Sequence, residues 1–291
     1  MKVKIIGNGA WGNALHFVIK HNFPTVSILQ RGDITTDAVI ILSIPTQSIR
    51  KSLKSISFGK DKIIINTAKG IEESTHLLPY QIIHSVFGNS IDYYTLIGPS
   101  FAREVAKKMP TLVNLGYSKK SANNEFIKKL FQTNFFRVRL TKGVEALELS
   151  AAFKNIYAIA CGLAEGVGYG VNTRVKLLVL AIEEMNSLFK KLQLKRDSNT
   201  TAGTVGDLIL TCNSTESRNF TFGKLLAAYS VDKSLGKINS TVEGYHSLSS
   251  IEYYKTLAKV ELPLATFVSK TIQLNDPKNI KRYFENFVSL I

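Results

Sequence analysis

Val3-Lys-Ile-Ile-Gly-Asn-Gly-Ala-Trp-Gly12 is the stretch on which the fold turns. The short run Val3–Ile6, mostly apolar and bounded by glycine, reads as a buried parallel strand. Gly7-x-Gly9-x-x-Gly12 follows at once, and Trp11 to about Lys20 reads as a helix. In this setting the first glycine allows the tight turn from strand to helix. The second lets a pyrophosphate approach the backbone, and the third lets helix and strand pack closely. Unpaired N–H groups at the helix N-terminus then face the phosphates. Gly7, Gly9 and Gly12 are therefore candidate dinucleotide contacts, with a ligand-free glycine turn as the alternative for such a motif alone.

Working outward, Val26–Leu29 is a second strand, and Arg31 and Asp33 follow it. An acid about 20 residues beyond the glycines suits a ribose hydroxyl, and an arginine suits a 2′-phosphate. The cofactor expected is NADP(H) or NAD(H), with Arg31 favouring NADP(H). Asp37–Pro45 already reads as the next buried strand. The connection before it is too short for a crossover helix, so the usual third strand of the sheet is expected to be missing. Gln47–Ile56 and Leu77–Phe87 read as helices, and Ile63–Asn66 and Tyr94–Ile97 as strands. Lys69 lies just past the carboxyl end of the former, where open α/β sheets bind ligands. Ser100 is placed to cap a helix starting at Phe101. Thr111–Leu115, a helix near Asn123–Phe131 and Phe135–Leu140 complete a doubly wound α/β unit of the Rossmann type, shortened after its second strand.

Strand signals stop after Leu140. Glu148–Gly170 reads as a helix apolar on nearly every side, a core helix. Leu149, Ala152, Ile156, Ile159 and Leu163 form one stripe, and the small residues Ala151, Ala158 and Cys161 form the other. Lys154 falls within the small stripe. A buried ammonium is costly unless paired, and its pKa falls; the bland reading has Lys154 snorkel to solvent. Further helices are expected at Thr173–Leu192, Thr204–Cys212, Phe222–Tyr229, Ser247–Ala258, Thr266–Ile272 and near Asn279–Leu290. The expected organisation is residues 1–142 as a dinucleotide-binding domain and 143–291 as an all-α substrate domain, with a cleft between them. Asp207, at the edge of the apolar run Leu208–Leu210, is a candidate partner for Lys154. Arg218 can clamp a phosphate bidentately, flanked by Ser217 and Asn219 as neutral donors; a helix N-cap is the plain reading of that triplet. Glu243 suits a ribose or solvent.

The 291 residues include 45% hydrophobic ones, enough for two ordinary domains. No apolar run reaches membrane-span length, and no signal peptide is apparent, which predicts a cytoplasmic protein without membrane insertion. Cys161 and Cys212 both fall in apolar segments, as suits a reducing compartment. The formal charge of +15 is spread over scattered lysines, so nucleic acid is not the expected partner despite the sign. No metal site is expected.

Taken together, Gly-Asn-Gly-Ala-Trp-Gly, Thr-Ala-Lys69-Gly-Ile-Glu, Gly98-Pro-Ser-Phe-Ala, Lys154-Asn155, Gly-Asp207-Leu-Ile-Leu-Thr-Cys, Ser217-Arg-Asn219 and Val-Glu243-Gly resemble the bacterial NAD(P)-dependent glycerol-3-phosphate dehydrogenases from about Met1 to Tyr245. The resemblance implies reduction of dihydroxyacetone phosphate to sn-glycerol 3-phosphate, toward phospholipids. It implies Lys154 as catalytic acid/base and Lys69, Gly98, Ser100, Asp207, Ser217, Arg218 and Asn219 at the substrate. It places Ala10, Trp11, Arg31, Lys69, Ala102, Arg218 and Glu243 at the dinucleotide, and it implies a homodimer, as in some members. The partner expected is a small phosphorylated substrate. This sequence departs from the pattern in the short segment after Arg31, in Thr204 where a glycine is expected, and in Leu180 where an arginine is usual. A related hydroxyacid dehydrogenase and a nucleotide-binding protein without turnover are the competing readings.

Overall fold

The computed structural model describes residues 2–29, 39–54, 62–88, 91–194 and 201–291. Among them, seven strands form one sheet in the order β2-β1-β3-β4-β5-β6-β7. The strands are β1 (Val3–Ile6), β2 (Ser27–Leu29), β3 (Val39–Leu42), β4 (Ile63–Asn66), β5 (Asp92–Ile97), β6 (Thr111–Tyr117) and β7 (Phe136–Lys142). The first five run parallel. β3 is buried throughout its Val-Ile-Ile-Leu run, as is β4 through Ile-Ile-Ile-Asn; strands covered on both faces are apolar without alternation.

The chain passes from β1 outward to β2 and then back to β3 on the other side of β1. That reversal opens a crevice at the carboxyl ends of β1 and β3, and the glycine loop lies there. Helix α1 (Ala10–Lys20) covers one face through Leu15, Val18 and Ile19. The other face is covered by α2 (Ile49–Leu53) and α3 (Pro79–Phe87), which bring Ile49, Leu53, Ile82 and Ile83 against Ile40, Leu42 and Ile64. The short α4 (Ala102–Ala106) follows β5, and α5 (Asn123–Phe131) returns to the α1 face.

Three expectations need correction here. The β5–β6 pair is antiparallel, so the doubly wound sheet is not parallel throughout: after β5 the chain makes only the one-and-a-half turns of α4 and comes back alongside the strand it has just left. The expected helix Gln47–Ile56 begins as a 3-10 turn at Thr46–Ser48 before α2. Ser100 does not cap α4, which has Phe101 at its N-cap; its hydroxyl donates to the Gly98 carbonyl at 3.1 Å instead. Sheet order ends at β2 among the described residues, while Arg31, Asp33 and Asp37 lie outside them.

From Val144 onward the described chain is helical: α6 (Val144–Val167), α7 (Val171–Lys191), α8 (Asp207–Cys212), α9 (Arg218–Leu226), α10 (Val231–Ile238), α11 (Glu243–Ser247), α12 (Ile251–Ala258), α13 (Pro263–Leu274) and α14 (Pro277–Leu290). Helices α10 and α11 were not expected from the sequence. The expected helix Thr204–Cys212 is regular only from Asp207; its first three residues belong to a π-type turn, Ala202–Gly206. Thr204 is explained by that turn. Its buried hydroxyl accepts from the Thr201 N–H at 2.9 Å, closing the turn on itself, and bonds the Thr201 carbonyl at 3.2 Å. Leu180 packs against the helical core, which an arginine at that position would not do without a partner for its charge.

α6 is the axis of this half, buried from Val144 to Ala164 with little interruption. Its glycines let α9 lie directly on its backbone. A Cβ at Gly162 would stand 1.9 Å from the Phe220 carbonyl oxygen, and one at Gly223 would stand 2.0 Å from that of Ile159. No side-chain rotation relieves either clash, because both obstacles are backbone. Gly223→Ala is therefore expected to separate α9 from α6 and to cost about 1–3 kcal/mol or more, as overpacked cores do. Urea titration of the variant checks this, and an unchanged midpoint contradicts it.

Candidate active site

A cleft of about 690 Å³ lies between the carboxyl ends of the strands and the helical half, a size suited to a small-molecule site. It is lined by Gly9, Ala10, Trp11, Lys69, Ser100, Ala102, Lys154, Ser217, Arg218, Asn219 and Glu243. Gly98 and Asp207 stand just behind the lining. Gly7 and Gly12 serve the fold beneath it: Gly7 has φ +115°, and a Cβ at Gly12 would meet the Gly7 carbonyl oxygen at 1.9 Å. Around Gly9 a Cβ would meet nothing within 4 Å, so the backbone there is open to a ligand.

The chemistry centres on one carboxylate between two ammonium groups. Asp207 Oδ1 is 2.7 Å from Lys154 Nζ, and Oδ2 is 2.7 Å from Lys69 Nζ. Asp207 belongs to the first turn of α8, Lys154 to the middle of α6, and Lys69 to the loop after β4. Lys154 is only 4% exposed, so it does not snorkel. Its Nζ also donates to Thr211 Oγ1 at 2.7 Å, and the Thr211 hydroxyl bonds the Asp207 carbonyl at 2.6 Å. Burial pushes the Lys154 pKa down to about 7, with Lys69 beside it acting the same way and Asp207 opposing both. Desolvation outweighs the attraction because one carboxylate is shared between two cations. Lys69 Nζ also donates to the Gly98 carbonyl at 3.0 Å.

A chain of amides fixes this group. Asn155 Nδ2 donates to the Lys69 carbonyl, Asn219 Nδ2 to Asn155 Oδ1, and the Gly244 N–H to Asn219 Oδ1, each at 2.9 Å. Asn219 is thus spent on positioning in this state. Ser217 is the N-cap of α9, accepting from the Phe220 N–H at 3.2 Å, so the plain reading of Ser-Arg-Asn holds for its serine. Arg218 extends from the first position of α9 and donates to Ser240 Oγ at 2.6 Å. Across the mouth, Arg103 of α4 meets Glu216 at 2.8 Å.

Among the described residues, three buried side-chain oxygens at the glycine-loop end have no protein partner: Ser43 Oγ, Thr46 Oγ1 and Glu243 Oε2. Glu243 is 8% exposed, and its other oxygen accepts from the Thr46 N–H at 3.0 Å. Burial raises its pKa, against the pull of that N–H and of the charges of His246 and Arg218. Buried polar atoms are rarely left unpaired without a purpose, and hydroxyl and carboxyl acceptors beside an open glycine turn fit the ribose and amide groups of a dinucleotide. Among the described residues no cluster of His, Cys, Asp and Glu could hold a metal, and no helix is long and apolar enough to cross a membrane.

Thr211, Thr46, Ser43, Arg103 and Ser240 were not singled out from the sequence. Thr211 had a readable signal, standing four residues after Asp207 and so on the same helix face. The others come from separate, distant segments and carry no local pattern.

Two family models match, described as NAD-dependent glycerol-3-phosphate dehydrogenase N-terminus over residues 33–123 and C-terminus over residues 143–281. A glycerol-3-phosphate dehydrogenase [NAD(P)+] from Syntrophomonas wolfei is 32% identical over 243 residues, covering 81% of this chain and 70% of that protein. One of the same name from Clostridium botulinum is 31% identical, covering 95% and 94%. That second alignment runs over 316 positions, more than the 291 residues present here, so the relative carries stretches this chain lacks. The crystal structure of a Coxiella burnetii glycerol-3-phosphate dehydrogenase superposes with a TM-score of 0.86 at 23% identity, over 97% of both chains.

Because Thr211 Oγ1 accepts from the Lys154 ammonium, Thr211→Val removes a group that favours the charged form. The Lys154 pKa is then expected to fall further below about 7. NMR titration of isotope-labelled lysine reads the shift directly, and an unchanged or raised value contradicts the assignment.

Proposed function

The chain belongs to the NAD-dependent glycerol-3-phosphate dehydrogenase family, and from that membership and the charge of its cleft we propose that it reduces dihydroxyacetone phosphate to sn-glycerol 3-phosphate with NADPH or NADH, supplying glycerophospholipid synthesis. The observation that carries the reading is the Lys69–Asp207–Lys154 arrangement, sharing one cleft with Arg218 and with an open glycine turn.

A dinucleotide would be held at Gly9, Ala10 and Trp11 by its phosphates and at Glu243 and Thr46 by its polar groups. When bound in reduced form it supplies the hydride for the carbonyl carbon. The protein's own task is the charge that develops on the carbonyl oxygen. Lys154 donates a proton to that oxygen; with its pKa near neutrality, the amine both holds and releases the proton readily. Lys69 adds positive charge beside it, already oriented by Asp207 and the Gly98 carbonyl. Arg218, released from Ser240, clamps the phosphate bidentately and fixes the carbonyl in place. Asp207 keeps the two ammonium groups apart and aimed.

The charge count supports an anionic substrate. Lining or backing the cleft, Lys69, Arg103, Lys154 and Arg218 face Asp207, Glu216 and Glu243, an excess of one positive charge when all are ionised. An anionic phosphate answers that excess, whereas a neutral ketone would not.

Lys154→Ala is expected to lower turnover about 10²–10⁴-fold, the usual worth of a general acid, while leaving the dissociation constant of the reduced dinucleotide nearly native. The near-ultraviolet absorbance of the reduced nicotinamide follows the first and fluorescence titration the second. A near-native rate would sink the role of Lys154, and a wild-type protein that oxidises neither cofactor with dihydroxyacetone phosphate would sink the reading as a whole.

The pH dependence has a fixed sign. Reduction needs Lys154 protonated, so kcat/KM for the ketone should fall as pH rises through about 7. Oxidation of glycerol 3-phosphate needs the free amine and should rise over the same interval. Parallel profiles for the two directions would contradict the assignment.

A further inference from the structure

Glu148 is a carboxylate that the chemistry above does not use. It lies on α6, 1% exposed, on the side that meets the sheet. Its Oε1 accepts from the Tyr93 hydroxyl and, at 3.2 Å, from Asn66 Nδ2. Its Oε2 accepts from the Tyr80 N–H at 2.8 Å, in the first turn of α3. All three partners are neutral. Burial pushes the carboxyl up to about 7, against the pull of the bonds from Tyr93 and Tyr80. Apolar packing alone would not select such a group, since replacing a buried charge by an apolar residue is often neutral or stabilising. Its value lies in what it orients.

What it orients is the turn that carries Lys69. Asn66 is the last residue of β4 and is fully buried. Its Oδ1 accepts from the Ala68 N–H at 2.9 Å, and its Nδ2 donates to the Ala68 carbonyl at 3.2 Å. The asparagine side chain therefore serves as the template of the turn, and its Nδ2 is oriented by the Ala68 carbonyl, by Thr95 Oγ1 at 3.5 Å and by the Glu148 oxygen, the one charged acceptor among them. Asn155 lies seven residues beyond Glu148, two helical turns along the same face, and holds the other end of the turn through the Lys69 carbonyl at 2.9 Å. One edge of α6 thus grips both ends of the Asn66–Lys69 loop, while the next residue inward, Lys154, meets the same Asp207 that Lys69 meets.

We propose that Glu148 is a positioning residue: acting through Asn66, it sets the Asn66–Lys69 turn and so holds Lys69 Nζ against Asp207 and in register with Lys154. Its kinetic consequence rests on the functional reading above; its structural consequence does not. Loss of the Glu148 acceptor leaves the Asn66 amide held by Ala68 and Thr95 alone, the turn loosens, and Lys69 leaves Asp207 part of the time.

The test has one readout for each consequence. Acetylation of Lys69 by acetic anhydride, measured by mass spectrometry relative to the exposed Lys259, is expected to rise severalfold in Glu148→Leu. A native labelling rate overturns the proposal. In turnover, Glu148→Leu is expected to lower kcat/KM for dihydroxyacetone phosphate about tenfold, with an unchanged dissociation constant for the reduced dinucleotide. On a Lys69→Met background the same substitution should cost nothing further, because side chains that act as one unit do not add. Additive penalties overturn the proposal, since they mean that Glu148 acts by another route or only on stability. Should Glu148→Leu not fold, Glu148→Gln and Asn66→Ala carry the same comparison. Glutamine keeps the shape but must turn its NH2 toward either Asn66 or Tyr80, and the two substitutions together should raise Lys69 labelling no more than Asn66→Ala alone; a summed effect overturns the proposal. A wild-type protein with no turnover of dihydroxyacetone phosphate would remove the functional reading and leave the labelling comparison standing.

Discussion

The structure depends on one carboxylate being shared by two ammonium groups. Asp207 lies 2.7 Å from both Lys69 and Lys154, and those lysines come from opposite sides of the cleft. Lys69 follows a strand of the sheet and Lys154 lies in the core helix of the other half. The shared anion therefore ties the two halves at the point where the reaction is placed. A buried pair normally risks paying more in desolvation than it recovers. With a second cation the balance is worse still, and the Lys154 pKa near 7 is the outcome. The site holds a lysine that is ready to give up its proton because the protein has declined to neutralise it fully.

The backbone packing of α6 follows from that requirement. A lysine can be presented at the centre of a fully buried helix only if the neighbouring elements come close enough to supply acceptors from their own structure. α8 does so with Asp207 and Thr211, four residues apart on one face. α9 does so by lying on α6 glycine to backbone, which brings Asn219 within reach of Asn155. Gly162 of α6 and Gly223 of α9, by letting the two backbones touch, are the reason that the polar chain Asn155–Asn219–Gly244 can close.

Much of this was legible in the sequence. The glycine turn after Val3–Ile6, the uninterrupted apolar strands and the helical run after Leu140 each have a period that physics reads directly. Lys154 was visible as a cation in an apolar stripe, and Asp207 as an acid at the edge of another. The antiparallel β6 was not legible, because strand direction depends on where the connection goes rather than on the residues of the strand. Nor were the roles of Ser100 and Ser217 separable: both are serines before a short helix, yet Ser217 caps one and Ser100 turns back to Gly98. Thr46, Ser43 and Glu148 gain meaning only when distant segments meet, and a single sequence carries no signal for that meeting.

Two of the buried carboxylates around the cleft, Asp207 and Glu148, divide the work by the partners they are given. Asp207 faces cations and sets how much positive charge the cleft holds. Glu148 faces only neutral donors, from β4, β5 and α3, and so contributes direction rather than charge balance. Exchanging their surroundings would defeat both tasks: a cation at Glu148 would draw its oxygens away from Asn66, and neutral donors in place of the lysines at Asp207 would leave its carboxylate uncompensated and strip the cleft of their charge. The seam between sheet and helices is thus built on two levels, an outer one where charge meets the substrate and an inner one where a carboxylate fixes the loop that delivers half of that charge.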